Sequence, residues 1–105
     1  MSDEITELTA KYTYGTWRAQ RGWKPLHVTK AEGVYFWDVS GKRYLDFNSM
    51  VMCSNIGHGD PRVIEAITDQ AHELVFAGPG MATKPRALLG KLLSEITPRG
   101  LLKAM

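Results

Sequence analysis

The segment HVTKAEGVYFWDVSGKRYLDF, residues 27–47, carries the pattern of a small antiparallel sheet. Aromatic and β-branched residues dominate it, and residues 34–39 alternate between two faces if the segment is extended. The connection DVSG, residues 38–41, is typical of a hairpin, because Gly41 is free to adopt a positive φ. The segment therefore predicts two or three strands, a sheet that is only marginally stable unless one of its faces is covered.

Helical patterns lie on both sides of this sheet. A short amphipathic helix is predicted from Asp3 to Lys11, upstream of the sheet. Downstream, Asp60 supplies a capping carboxylate and Pro61 suits the first position of a long helix, and a second helix is predicted to begin near Pro85. Each of the two downstream helices has one apolar stripe: Val63, Ile64, Ile67, Ala71 and Leu74 in the first, and Leu88, Leu89, Leu92, Leu93 and Ile96 in the second.

The fold class predicted from these elements is α/β, with an α+β arrangement in these 105 residues: a small antiparallel sheet followed by two amphipathic helices. We expect three parts, namely a helix and aromatic arm (1–25), the sheet (26–56) and the two-helix start of a larger domain (57–105). No central sheet is predicted for the helices to cover. The sequence is therefore interpreted as the front part of a larger α/β protein.

Composition excludes several classes of protein. Hydrophobic residues make up 44% of the chain and charged residues 23%, as in ordinary globular proteins. The net charge of +2 is too small to indicate a nucleic-acid or anionic-membrane partner. No run of eighteen apolar residues predicts a membrane span, and the acidic start lacks the apolar core of a signal peptide. With the single cysteine, Cys53, these features favour a cytoplasmic location.

Four residues could in principle ligate a soft metal ion: His27, His58, His72 and Cys53. Their spacing is not that of a zinc site, so separate surface or core roles are favoured. A Cys53–His58 nucleophile pair is conceivable, but nothing in the sequence orients the histidine, and Cys53 is expected to be half-buried packing. We interpret His58 as a turn residue.

Two pairs of glycines, Gly57 with Gly59 and Gly78 with Gly80, resemble phosphate-binding loops only weakly, since neither forms an established phosphate motif. The carboxylate of Asp60 would also lie where an anion would have to bind. Loop geometry is therefore the favoured interpretation of all four glycines.

The segment TWRAQRGWK, residues 16–24, interleaves aromatic and basic side chains. Such a segment could stack on single-stranded nucleic acid, or it could be an arm that packs on a partner subunit. The residues concerned are Trp17, Arg18, Arg21, Trp23 and Lys24. A stand-alone module that binds nucleic acid or a protein through Trp17–Lys24 thus remains the alternative to the interpretation given next.

The segment EGVYFWDVSGKRYLDFNSMVMCSNIGHGDPRVIEAITDQ, residues 32–70, resembles the N-terminal region of class III (ω-amino acid type) aminotransferases, which depend on pyridoxal phosphate (PLP). The resemblance extends from about Tyr14 to Pro98. The matched positions are Gly33, Asp38, Gly41, Tyr44, Leu45, Asp46, Gly57, His58, Pro61, Val63, Ala66, Ile67 and Gln70. It implies the N-terminal part of a fold-type I transferase, an obligate homodimer that moves an amino group from an amine or amino acid to a keto acid.

The resemblance also implies roles for five residues in substrate binding. Trp17 corresponds to an arm position that offers an aromatic side chain to the substrate. Met52 corresponds to a pocket residue that is often aromatic in amine transaminases, and Phe76, Ala77 and Gly78 to a loop that reaches the neighbouring subunit's site. Small residues in that loop, and Met52 in place of a ring, would leave room for a long or bulky amino donor.

One departure from the family pattern is minor and another is large. Asp60 stands where the family more often has histidine, and either side chain can cap a helix. The phosphate loop, the aspartate that pairs with the pyridine nitrogen and the Schiff-base lysine of the family would all follow residue 105. Lys84, Lys91 and Lys103 do not match that lysine. We therefore expect no PLP binding and no activity from this chain alone. A further alternative is that the chain is a pseudoenzyme that pairs with a full-length transaminase and modulates it.

Overall fold

The computed structural model describes residues 3–104, which form two compact units divided between Glu65 and Ala66. The first unit begins with helix α1, Glu4–Tyr12. A carboxylate oxygen of Asp3 accepts hydrogen bonds from the backbone amides of Ile5 (3.1 Å) and Thr6 (3.3 Å), which would otherwise lack partners at the start of the helix. The predicted short N-terminal helix is confirmed.

The sheet has three antiparallel strands in the order β1-β2-β3. Their bounds are β1, Val28–Glu32; β2, Tyr35–Asp38; and β3, Arg43–Leu45. The predicted hairpin between β2 and β3 is confirmed, because the Gly41 amide donates to the Asp38 carbonyl oxygen at 2.9 Å and Gly41 has a φ of 81°. This φ lies in the left-handed region, where glycine carries little steric penalty.

Aromatic side chains on the sheet contact one another across and along the strands. Phe36 and Tyr44 are directly opposite in β2 and β3, and their rings stack with centroids 5.0 Å apart. On the other face of β2, Tyr35 and Trp37 lie 6.4 Å apart, and the guanidinium of Arg43 lies 4.5 Å from the Tyr35 ring centroid. No hydrophobic side chain among residues 3–104 is fully buried, so these ring and cation contacts, rather than a closed core, order the sheet.

A left-handed helical turn, α2 (Ser49–Met52), follows the sheet. Its four residues have φ values of 52°, 48°, 60° and 63°. None is a glycine, and each L-residue in this conformation costs about 1–2 kcal/mol. The sequence did not predict this turn, which contains the β-branched Val51.

Two further helices complete the described residues: α3, Pro61–Glu73, and α4, Lys84–Ile96. The predicted cap of α3 is confirmed, because Asp60 Oδ1 accepts a hydrogen bond from the Arg62 amide at 2.9 Å. Helix α4 begins one residue before the predicted position. None of the helices in the described part of the chain is long and apolar enough to span a membrane. The predicted fold class, a small antiparallel sheet followed by two amphipathic helices, is confirmed.

Candidate functional site

The carboxylate of Asp38 organises the β2–β3 hairpin. It accepts hydrogen bonds from the Ser40 hydroxyl (2.6 Å), the Ser40 amide (2.9 Å), the Lys42 amide (3.0 Å) and the Tyr44 hydroxyl (2.8 Å). The bonds from the Ser40 and Tyr44 hydroxyls lower the pKa of Asp38 to about 2, against the opposing effect of burial. With its oxygens satisfied inside the hairpin, Asp38 serves the fold rather than acid–base chemistry.

A second carboxylate, Asp46, pairs with His58. His58 Nε2 lies 2.6 Å from Asp46 Oδ2, and the two side chains are only 14% and 4% exposed. The hydrogen bond from His58 lowers the pKa of Asp46 below its usual value. The backbone of His58 is held as well, because it exchanges two 2.8 Å hydrogen bonds with Gly33 at the end of β1. The expectation that nothing orients His58 is therefore wrong: Asp46 holds its ring and Gly33 its backbone.

The other oxygen of Asp46 holds the left-handed turn α2. Asp46 Oδ1 accepts a hydrogen bond from the Met50 amide at 3.0 Å. Asn48 adds a second constraint, since its carbonyl oxygen accepts from the Met52 amide at 2.8 Å, and Asn55 donates to the Met52 carbonyl oxygen at 2.8 Å. The Met52 backbone is thus fixed at both its amide and its carbonyl, although the Met52 residue is 72% exposed.

Cys53 does not form a nucleophile pair with His58. The His58 ring is engaged by Asp46, and the Cys53 thiol makes a long contact of 3.5 Å with the Val51 carbonyl oxygen. Cys53 is exposed, so the expectation of a half-buried cysteine is wrong. Among residues 3–104, no three His, Cys, Asp or Glu side chains converge as a metal site would require.

The aromatic arm is irregular, as predicted, and is folded partly onto itself. The Gln20 side chain bonds to both the amide (2.9 Å) and the carbonyl oxygen (2.7 Å) of Gly15. The Arg18 guanidinium lies 5.9 Å from the Trp23 ring centroid. These contacts engage two of the residues that a nucleic-acid stacking surface would use. Trp17 stays 90% exposed, at a φ of 57°.

In the second unit, Phe76, Ala77 and Gly78 line one groove of about 310 Å³. Leu74, just after α3, and Arg86, in the first turn of α4, lie in the same lining. The groove therefore combines apolar surface with one cation. Three of the five predicted substrate-binding residues are brought together here, while Trp17 and Met52 belong to the first unit.

Several groups of the kind that PLP requires are already engaged within the described part of the chain. The cofactor needs a free lysine amine and a carboxylate for its pyridine nitrogen. The most buried carboxylates, Asp38 and Asp46, are already satisfied by partners within the chain. Lys91 is an exposed member of an ion pair with Glu95, at 3.7 Å. The carboxylates of Asp38 and Asp46 and the amine of Lys91 thus have partners within the chain.

Comparison with known proteins places these features in a family. The family model described as Aminotransferase class-III matches residues 18–105. The acetylornithine aminotransferase of Methanothermobacter thermautotrophicus is 34% identical over 92% of this chain, which spans 24% of that enzyme.

Solved structures agree with the sequence matches. The taurine:2-oxoglutarate aminotransferase of Bifidobacterium kashiwanohense, determined in complex with PLP and glutamate, matches 91% of this chain with a TM-score of 0.83 and 38% identity. The adenosylmethionine-8-amino-7-oxononanoate aminotransferase of Methanocaldococcus jannaschii matches 94% with a TM-score of 0.85 and 32% identity. The chain covers 21% and 24% of these two proteins. The fold and the family match lead to the same conclusion. The chain belongs to the class III aminotransferases.

Proposed function

We propose that this chain is the N-terminal segment of a PLP-dependent aminotransferase that moves an amino group from an amine or amino acid to a keto acid. The observation that carries the proposal is the family match over residues 18–105, combined with a span of only 21–24% of the three relatives described above. The segment would supply substrate-pocket and dimer contacts, while the remainder of the enzyme would supply the cofactor site.

Exposed apolar surface supports the idea that the segment works inside a larger assembly. Leu88, Leu89 and Leu92 on α4 are 57%, 57% and 52% exposed. Ile64 and Ile67 on α3 are similarly open, at 55% and 64%. Contiguous apolar helix faces of this kind are normally covered by other protein surface. In the proposed enzyme, the rest of the large domain and the second subunit of a cytoplasmic homodimer would cover them.

By the family resemblance, Trp17, Met52 and the loop of Phe76, Ala77 and Gly78 would contact substrate in the full-length enzyme. Trp17 and Phe76 are 90% and 79% exposed, so both rings are free to contact a partner surface or a substrate. The small side chain of Ala77 and the absence of one at Gly78 keep the groove beside Phe76 open. This composition suits an amino donor with a long or apolar body.

The first experiment tests whether the chain acts alone. The purified chain is mixed with PLP and an amino donor, treated with borohydride, and digested to map any lysine that retains the cofactor. We expect no single modified lysine and no amino transfer, since Lys84, Lys91 and Lys103 do not match the family's Schiff-base lysine. Stoichiometric labelling of Lys84, Lys91 or Lys103 together with turnover would refute this part of the proposal.

The second experiment tests the parent activity. The nucleotide sequence after the codon for Met105 is read, and the longest product that includes this chain is assayed for PLP-dependent amino transfer. We expect the reading to continue into a phosphate-binding loop and a downstream lysine. A product with those elements but with no transfer from any of a panel of amines and amino acids would contradict the proposed activity.

A further inference from the structure

The left-handed turn α2 has an unusual backbone that its own sequence does not explain. Four consecutive non-glycine residues, Ser49–Met52, hold positive φ values. Such residues relax to other backbone conformations unless neighbouring groups hold them in place. The origin of the turn must therefore lie in its contacts.

Those contacts lead through Asp46 and His58 to the sheet. Gly33 holds the His58 backbone through two 2.8 Å hydrogen bonds, and the His58 ring lies 2.6 Å from Asp46 Oδ2. The other oxygen, Asp46 Oδ1, accepts from the Met50 amide inside the turn at 3.0 Å. The Asp46 side chain is 4% exposed, although no hydrophobic side chain among residues 3–104 is fully buried. The Asp46 carboxylate is thus well shielded from solvent.

We propose that Asp46 and His58 form a positioning pair that imposes the left-handed turn and thereby sets where Met52 stands on the wall of the amino-donor pocket. The location of Met52 in that pocket rests on the proposed function, whereas the control of the turn does not. Met52 is 72% exposed, so its own packing does not place it. Its position is decided by the backbone, and Asp46 controls that backbone at Met50.

A simpler role is that the pair only fastens the segment after β3 to the end of β1. The two roles differ in which second substitution restores the turn when Asp46 is replaced. If Asp46 counteracts backbone strain, glycine in the turn should compensate, because glycine adopts positive φ without steric penalty. If Asp46 only fastens two segments, a glycine at Val51 should give no recovery.

The test on the chain itself uses NMR with ¹⁵N-labelled backbone and ¹³C-labelled methionine methyl groups. Four proteins are compared with the unmodified chain: Asp46→Ala, Asp46→Ala with Val51→Gly, His58→Ala, and the control Asp60→Ala. Asp60 is a matched control, because it also carries a close pair, with Arg62 at 2.6 Å, but does not contact α2.

We expect Asp46→Ala to speed exchange of the Met50 amide about tenfold and to shift the Met52 methyl resonance, because the amide loses a charged acceptor. His58→Ala should shift the same resonance in the same direction, and Val51→Gly should return it towards the unmodified position. Asp60→Ala should change neither signal. Unchanged Met50 and Met52 signals in Asp46→Ala, no recovery with Val51→Gly, or an unprotected Met50 amide in the unmodified chain would each overturn the proposal.

The same variants in the full-length product test the functional half. We expect Asp46→Ala to raise KM for the amino donor about tenfold with a much smaller change in kcat, since donor placement rather than the reacting groups is altered. Adding Val51→Gly to the Asp46→Ala variant should return KM towards the value of the unmodified enzyme. A fall in kcat with unchanged KM would overturn the link to the donor pocket. A product without amino transfer would remove the proposed function alone, because the resonance test still decides whether the pair holds the turn.

Discussion

Replacing Gly57 by alanine adds one methyl group beside the Gly33 carbonyl oxygen. A Cβ at Gly57 would lie 3.2 Å from that oxygen, closer than ordinary van der Waals contact. The oxygen cannot retreat freely, because it accepts the 2.8 Å hydrogen bond from the His58 amide. The methyl group therefore competes directly with the bridge that fastens His58 to the sheet.

The size of this destabilisation follows from a comparison with Gly59→Ala, which measures the cost of the left-handed backbone conformation without a steric clash. Gly57 and Gly59 flank His58 and have φ values of 92° and 75°. Alanine at either position costs about 1–2 kcal/mol for a left-handed conformation. At Gly59 the nearest atom to a new Cβ is the Ala31 carbonyl oxygen at 3.9 Å, an ordinary contact. The difference between the two variants therefore isolates the clash, which we set at about 1 kcal/mol, the net value of one hydrogen bond.

Amide hydrogen exchange measures this difference locally. The reporters are the Gly33 and His58 amides, which donate the two hydrogen bonds of the bridge. An additional destabilisation of about 1 kcal/mol should make them exchange about fivefold faster in Gly57→Ala than in Gly59→Ala. Equal exchange rates in the two variants would refute the reasoning, since they would mean that the contact with the Gly33 oxygen carries no cost.

Three other predictions concern the hairpin and the helices. Hydrogen bonds hold the pKa of Asp38 at about 2, below the value near 4 of an unfolded chain. The stabilisation of the hairpin by Asp38 is therefore complete above pH of about 4 and is lost as the pH falls through about 2. NMR titration of the Asp38 carboxyl carbon should give that low midpoint, and a midpoint near 4 would contradict the geometry. The chain should self-associate through the exposed apolar face of α4. The double variant Leu88→Gln with Leu92→Gln should therefore lower the apparent mass of the chain in sedimentation velocity, whereas Lys91→Gln should not. Equal effects of the two changes would argue against an apolar interface. Asp3→Ala should speed amide exchange in the first turn of α1, because the two amides capped by this carboxylate lose their acceptor, and unchanged protection there would show that the cap is dispensable.

Local chemistry made most of the secondary structure predictable. The alternation from Tyr35 to Asp38 and the positive-φ glycine at Gly41 act over a few residues, so the hairpin could be read from them. The same holds for the cap at Asp60 and the apolar spacing of α4, whose start was placed within one residue. Family membership also followed from local motifs, because the glycines, the YLD sequence and the GH pair stand in a fixed order.

The candidate site was less predictable, because its residues act over long separations. Trp17, Met52 and the Phe76–Gly78 loop were named through the resemblance, and their roles stay predictions. The grouping of Phe76, Ala77 and Gly78 around one groove depends on how the loop returns from α3 to α4, which periodicity does not describe. Cys53 was expected among packed neighbours, but it is exposed at the end of the left-handed turn.

Residue order alone was enough to predict α1, α3, α4, a sheet of two or three strands and the family, because each depends on propensities and motifs that act within a few positions. Only the folded chain revealed the contacts of His58. Its ring meets Asp46 across twelve residues, and its backbone meets Gly33 at the far end of β1. These contacts let Asp46 hold Met50 in a conformation that its own side chain disfavours. Local preference could not reveal that turn, since His58, which holds the Asp46 carboxylate, lies twelve residues further along the chain.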